Sequence, residues 1–149
     1  MTIFQTPYAE GRMPPPLPFS AGMVASVVYT KTLTAAYVTA TDIIELGAIP
    51  ATARIVGATL ICEGMTAATT ADVGVMDGAA GDAKDTGRAL TADLLFDGVD
   101  AEDTETDAAL LTCLGIAPAE THRGIGVTMS ANEAAGAGKK ITVRLDYVY

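Results

Sequence analysis

The densest group of residues that could do chemistry is a run of carboxylates between positions 93 and 107. Clustered carboxylates can bind calcium or act as an acid/base pair on a sugar. An EF-hand loop requires D-x-[DN]-x-[DN]-G, which the run DGVDAEDTETD does not match, and aromatic residues that could stack on sugars are scarce. The pattern favours a solvated acidic surface, so we predict no metal site and no cofactor. The run holds seven acidic residues and no basic one: Asp93, Asp97, Asp100, Glu102, Asp103, Glu105 and Asp107.

Residues for nucleophilic catalysis are few and badly placed. His122 is the only histidine, and its neighbours Thr121 and Arg123 predict an exposed strand start. Cys62 and Cys113 each lie in an apolar run, so buried free thiols and a disulfide both fit the sequence. The glycines of RGIG do not follow a strand and open a helix, as those of a phosphate-binding loop do. We therefore predict no catalytic residue and no enzymatic activity.

Composition indicates one domain without a deep ligand pocket. The chain has 149 residues, and aromatic residues make up 5% of it, with no tryptophan. The formal net charge is −9, and an acidic surface repels phosphate groups, so nucleic-acid binding is disfavoured. The N-terminus lacks the pattern of a signal peptide, and no run of about 20 apolar residues is present, so we expect a soluble protein made in the cytoplasm.

Strands must position these residues, because apolar residues alternate with period two along most of the chain. The centre of this pattern is the stretch 49–78, where two strands at 53–63 and 71–77 flank a polar connection at 64–70. Further strands are predicted at 23–34, 42–46, 121–131 and 139–149, and a short strand or turn at 94–96. About seven or eight strands without a sustained helical period predict an all-β fold, an antiparallel β-sandwich resembling a jelly roll.

The connections have their own signals. Residues 77–88 are rich in Gly and Asp, which predicts a loop, and residues 132–138 predict a flexible hairpin connection between the last two strands. Residues 106–114 could form a short helix that lays Ala109, Leu110 and Leu114 on the body.

The N-terminal residues 1–22 predict an extended arm in front of a single β-sandwich domain at 23–149. Five prolines exclude helix over most of the arm and favour polyproline II. The arm lies either on a neighbouring subunit or against its own domain. On the first alternative we predict partner contacts from its apolar and proline residues: Ile3, Phe4, Tyr8, Pro14, Pro15, Pro16, Leu17 and Phe19.

The strand and turn patterns of residues 42–149 resemble those of head decoration, or capsid cement, proteins of tailed phages and phage-like particles. The resemblance rests on the turn at Ile49-Pro50, the strand ARIVGATL, the segment TADVGVMDG at 70–78, and the final strands RGIGVTMS and KKITVRLDYVY. It implies a structural virion protein on the outer surface of the head. It also implies a major capsid protein as partner and a homotrimeric state. Two alternatives remain: another virion β-protein, such as a head-fibre base or tail-associated protein, and a carbohydrate-binding β-sandwich.

Overall fold

The computed structural model describes residues 2–13 and 23–149, and this part of the chain is nearly all β. One short helix, α1 (Leu110–Gly115), lies between the seventh and eighth strands. The strands form two sheets that enclose one core, so the predicted all-β antiparallel sandwich is confirmed. In chain order they are β1 (Thr2–Gln5), β2 (Ala25–Thr32), β3 (Asp42–Ile49), β4 (Arg54–Glu63), β5 (Thr70–Met76), β6 (Leu90–Asp100), β7 (Thr104–Asp107), β8 (Arg123–Met129) and β9 (Lys140–Val148).

Each sheet has one edge strand on each side of the sandwich: β6 and β7 lie on one side, and β1 and β2 lie on the other. The first sheet has the order β1-β3-β8-β5-β6, and the second has the order β2-β9-β4-β7. In the described residues every strand pair is antiparallel except β1 with β3. The helix α1 contacts both β4 and β6, so it closes the gap between the sheets on the side of the edge strands β6 and β7.

The core lies between the sheets and follows the predicted alternation. From β8 it receives Ile125, Val127 and Met129, and from β9 it receives Ile141, Val143, Leu145 and Tyr147. Tyr149, predicted on the same face of the last strand, is exposed instead because it lies beyond the end of β9.

The outer face of the first sheet is also covered over much of its area. Gly124 and Gly126 of β8 are buried there, although alternation alone would leave this face to solvent. A Cβ at Gly124 would lie 2.7 Å from Nη2 of Arg88, and one at Gly126 would lie 2.6 Å from Cγ of Met76. These glycines are therefore explained by the close approach of side chains that cross over the sheet.

The two polar connections cross between the sheets. The strands β4 and β5 of the central stretch lie in different sheets, and so do β8 and β9, so the predicted hairpin at 132–138 is wrong. The physical reason is the buried carboxylate of Glu133. It accepts hydrogen bonds from the Thr66 backbone N–H at 2.9 Å, from Thr69 Oγ1 at 2.8 Å and from Lys139 Nζ. These bonds tie both crossings together at one end of the sandwich.

The acidic segment is strand, not loop. The eleven residues of β6 extend well beyond the short strand or turn predicted at 94–96, and β7 follows at once. In β7 the alternation is between threonine and acid: Thr104 and Thr106 are half-buried, whereas Glu105 and Asp107 are exposed. Because this pattern has no large apolar residue, hydrophobic periodicity does not detect it.

The predicted helix is present, but a different side of it faces the core. It spans Leu110–Gly115 and buries Cys113, with Ile116 buried just after its end. Ala109, Leu110 and Leu114, which the sequence pattern placed on the body, are exposed. The helix is too short to set its own orientation, so its packing follows the strand that precedes it. The backbone of Ala108 still donates a hydrogen bond to Ala58 of β4 at 2.9 Å.

Candidate functional site

The residues considered for nucleophilic chemistry have structural contacts. His122 is exposed, and its Nδ1 accepts a hydrogen bond from the backbone N–H of Ala51 at 3.2 Å, which supports the turn after β3. Cys62 and Cys113 are buried free thiols, which resolves the two alternatives left by their spacing. Burial, and then the charge of Asp100, raises the pKa of Cys62 to about 11, so its thiol stays protonated near neutral pH.

The carboxylates of the segment 93–107 all lie at the surface of the β6 and β7 side of the molecule. Within residues 2–13 and 23–149, no group of three or more His, Cys, Asp or Glu residues is arranged to hold a metal ion. No helix in the same part of the chain is long and apolar enough to cross a membrane. The surface is best described as a solvated acidic face along two sheet edges.

The described part of the N-terminal segment lies on its own domain. Ile3 and Phe4 belong to β1, where they pair in parallel with Ile43 and Ile44 of β3, and both are half-buried. The ring of Tyr8 packs edge-on against Tyr29, with centroids 4.8 Å apart. The remaining predicted contact residues lie outside the described residues: Pro14, Pro15, Pro16, Leu17 and Phe19. Whether any of this segment also contacts a partner stays a prediction.

A buried ion pair fastens this segment and the loop 77–88 to the first sheet. The guanidinium of Arg88 donates to both carboxylate oxygens of Glu45, at 2.7 and 2.9 Å, and both side chains are fully buried. The same carboxylate accepts hydrogen bonds from Gln5 Nε2 at 2.7 Å and from the Gly81 backbone at 2.9 Å. Its hydrogen bond to Glu45 raises the pKa of Arg88, so the guanidinium stays charged.

The sequence predictions missed this ion pair. Glu45 stood in the predicted strand 42–46, and Arg88 ended the predicted loop. One signal was available, since in the segment DIIELGAI the second acid, Glu45, lies inside an apolar run, where an unpaired charge would be costly. A charged partner from elsewhere in the chain was therefore required. Several residues could have supplied it, and spacing does not identify which.

Two surface depressions accompany these features. A cavity of about 530 Å³ opens where β4 ends and β7 begins, and the acidic residues Glu63, Asp103 and Glu105 are part of its lining. A smaller one, about 270 Å³, lies between the N-terminal segment and the turn after β3 and includes Tyr8 and His122.

Similarity to solved structures identifies the family of this chain. No protein-family model matches the chain, and no curated protein matches it. Among solved structures, a chain in the capsid of Ralstonia phage GP4 is 32% identical, with a TM-score of 0.85, over 98% of this chain and 97% of that one. A chain in the capsid asymmetric unit of cyanophage Pam1 shares the fold, with a TM-score of 0.55 and 21% identity over 91% of each chain. The chain belongs to the family of phage capsid proteins that includes this component of the GP4 capsid.

Proposed function

We propose that this capsid protein is a decoration, or cement, protein that binds the outside of a phage-type head and stabilises it. The observation that carries the proposal is the full-length similarity to a chain of the Ralstonia phage GP4 capsid. The described surface suits binding to other proteins, because it presents sheet edges, an acidic face and exposed apolar side chains. The resemblance of residues 42–149 to decoration proteins points the same way.

The charge distribution favours the outer surface of the head. Residues 89–122 hold eight acidic residues and no basic one, whereas the rest of the chain holds ten acidic and nine basic residues. Packaged DNA presents phosphate groups to the inside of a head. An acidic face directed inward would be repelled by those phosphates, whereas on the outside it faces water and counterions.

The compact sandwich suits a protein that folds first and joins the shell afterwards. In the described residues the two sheets enclose one continuous core. We include in the proposal a major capsid protein as the binding partner and a homotrimer as the assembled state. The N-terminal segment is a further contact in this proposal, through Ile3, Phe4 and Tyr8 and the residues that follow them.

The experiment is add-back to phage shells that lack the protein. We expect the purified chain to bind these shells from outside in many copies, and to raise the temperature at which they release their DNA. Cryo-electron microscopy of the restored shells shows the position, the copy number and the grouping of the copies. Failure of the folded protein to bind, or density confined to the tail or to the inner surface, contradicts the proposal.

A further inference from the structure

The helix α1 presents an apolar surface to solvent. Leu110, Leu111 and Leu114, here called the leucine patch, have exposed fractions of 59%, 84% and 38%. Among the large hydrophobic residues of the described part of the chain, Leu111 is the most exposed. Adjacent exposed leucines on one short helix differ from the single apolar side chains that are scattered over ordinary protein surfaces.

Packing of the sandwich does not require the leucine patch. The opposite side of the helix already closes the core through the buried Cys113, with Ile116 following. The run from Ala108 to Ala119 contains one polar side chain, Thr112, so the helix is apolar on nearly every side. A helix of that kind is normally covered on every side by protein. In this molecule the outer side of the helix remains open to a partner.

The acidic residues of the segment that contains the leucine patch predict a positively charged partner. The helix lies in residues 89–122, which carry eight of the 18 acidic residues of the chain and none of the nine basic ones. The carboxylates of Asp97, Glu105 and Asp107 are exposed on β6 and β7, the edge strands on the side that α1 closes. A second copy that docked through this face would oppose acid with acid, which is unfavourable.

We infer that the leucine patch, together with the exposed carboxylates of β6 and β7, docks a neighbouring capsid protein through an apolar pocket flanked by lysine or arginine. The inference rests on the proposed function and adds to it the surface and the chemistry of the partner. Apolar anchors at the centre of an interface supply affinity, and the charged rim supplies orientation and rate of association. The acidic cavity of about 530 Å³ at the far end of β7 offers a second position for a basic side chain.

The test compares variants of the full chain in binding to shells that lack the protein. Leu111→Ser removes the most exposed leucine, and Leu110→Ser removes its neighbour; both positions are exposed, so folding should be preserved. The matched control is Val28→Ser, because Val28 is also exposed and apolar but lies on β2, the edge strand on the opposite side of the sandwich. We expect each leucine variant to lose at least about tenfold in affinity, while the control binds like the unmodified chain.

A charge variant tests the rim independently of the leucines. Asp97→Asn combined with Glu105→Gln should slow association and make it less sensitive to salt, because fewer charges are then screened. Circular dichroism and thermal unfolding verify that every variant is folded.

The outcomes separate the two proposals. If the unmodified chain fails to bind shells, the decoration function is wrong and this inference fails with it. If the unmodified chain binds and the leucine variants bind equally well, the function stands and the docking surface is wrong. Sedimentation provides the remaining outcome: if Leu111→Ser disrupts an oligomer of the free protein without changing shell binding, the patch joins copies of this chain, and the inference is overturned.

Discussion

Two buried carboxylates hold the connecting segments of the molecule in place. Glu45 binds Arg88, Gln5 and the backbone of Gly81, so it joins the loop 77–88 and the N-terminal segment to β3. Glu133 joins the two crossings between the sheets. Burying an ion pair contributes little net stability, but removing one partner leaves an uncompensated charge and typically costs about 3–5 kcal/mol. These residues fix the positions of loops that hydrophobic packing alone would leave undetermined.

The pH dependence of Glu133 gives a prediction at this scale. Burial opposes its ionisation, but hydrogen bonds from Lys139, Thr69 and Thr66 outweigh burial and hold the pKa of this carboxyl below its usual range. Because the pKa is lowered by folding, the contribution to stability is fully present above the unfolded value, about 4.3, and is lost as pH falls through the folded value. We expect Glu133→Gln to cost about 1–3 kcal/mol at pH 7 in urea unfolding.

The loss caused by Glu133→Gln should shrink in acid, since the unmodified chain also loses the charge of this carboxylate there. Glu120→Gln is the matched control, because Glu120 is exposed in the segment before β8, and this variant should unfold like the unmodified chain at each pH. Equal stability of Glu133→Gln and the unmodified chain at pH 7 would contradict the prediction. So would a loss that is the same at every pH.

At the scale of elements, sequence patterns located strands better than they located partners. The strands β2, β4, β5, β8 and β9 lie within two or three residues of their predicted positions, because each carries large apolar residues with period two. The pattern did not predict which strands pair, because the crossings at Glu133 depend on hydrogen bonds between residues more than 60 positions apart. Leu110 and Leu114 were placed on the wrong side of the helix for a related reason: a helical run shows which residues are apolar, not which of them face the core.

The different anchoring of α1 and β4 can be measured through their cysteines. Cys62 lies in β4, which is bonded on both sides by β9 and β7, whereas α1 is held to the body chiefly by Cys113 and Ile116. Both thiols are buried, so a reagent reaches either one only when the chain opens locally. Burial also raises the pKa of both thiols. We therefore expect Cys113 to be labelled faster than Cys62 under native conditions.

Single-cysteine variants make the labelling comparison direct. Cys62→Ala reports on Cys113, Cys113→Ala reports on Cys62, and a chromogenic disulfide reagent at pH 7.5 supplies the rates. In denaturant both thiols should react at similar rates, which controls for their intrinsic reactivity. Equal rates in the native state, or faster labelling of Cys62, would show that α1 is not the less firmly held element.

At the scale of the whole molecule, nearly all of the net charge comes from one segment of the chain. Residues 89–122 supply eight negative charges, while acidic and basic residues almost balance over the rest of the chain. Like charges that follow one another along β6 and β7 repel, and we expect this repulsion to destabilise the isolated protein. In the proposed docking to a basic capsid partner the same charges are attractive, so an arrangement that is unfavourable in the free chain would become favourable on the shell. The acidic face is therefore better explained by assembly than by folding.

This explanation predicts that salt acts on the isolated protein and on its binding in opposite directions. Between about 0.01 and about 0.15 M NaCl the screening length falls from about 30 to about 8 Å, so repulsion along β6 and β7 weakens. The Tm of the isolated protein should rise by roughly 2–4 °C, the shift that about 1 kcal/mol produces in a domain of this size. Over the same range, binding to shells should weaken.

The variant with Asp93→Asn and Asp97→Asn should start at a higher Tm and respond less to salt, because it has less repulsion to screen. A Tm that falls with salt, or an equal response of the two proteins, would mean that the acidic face does not strain the free chain.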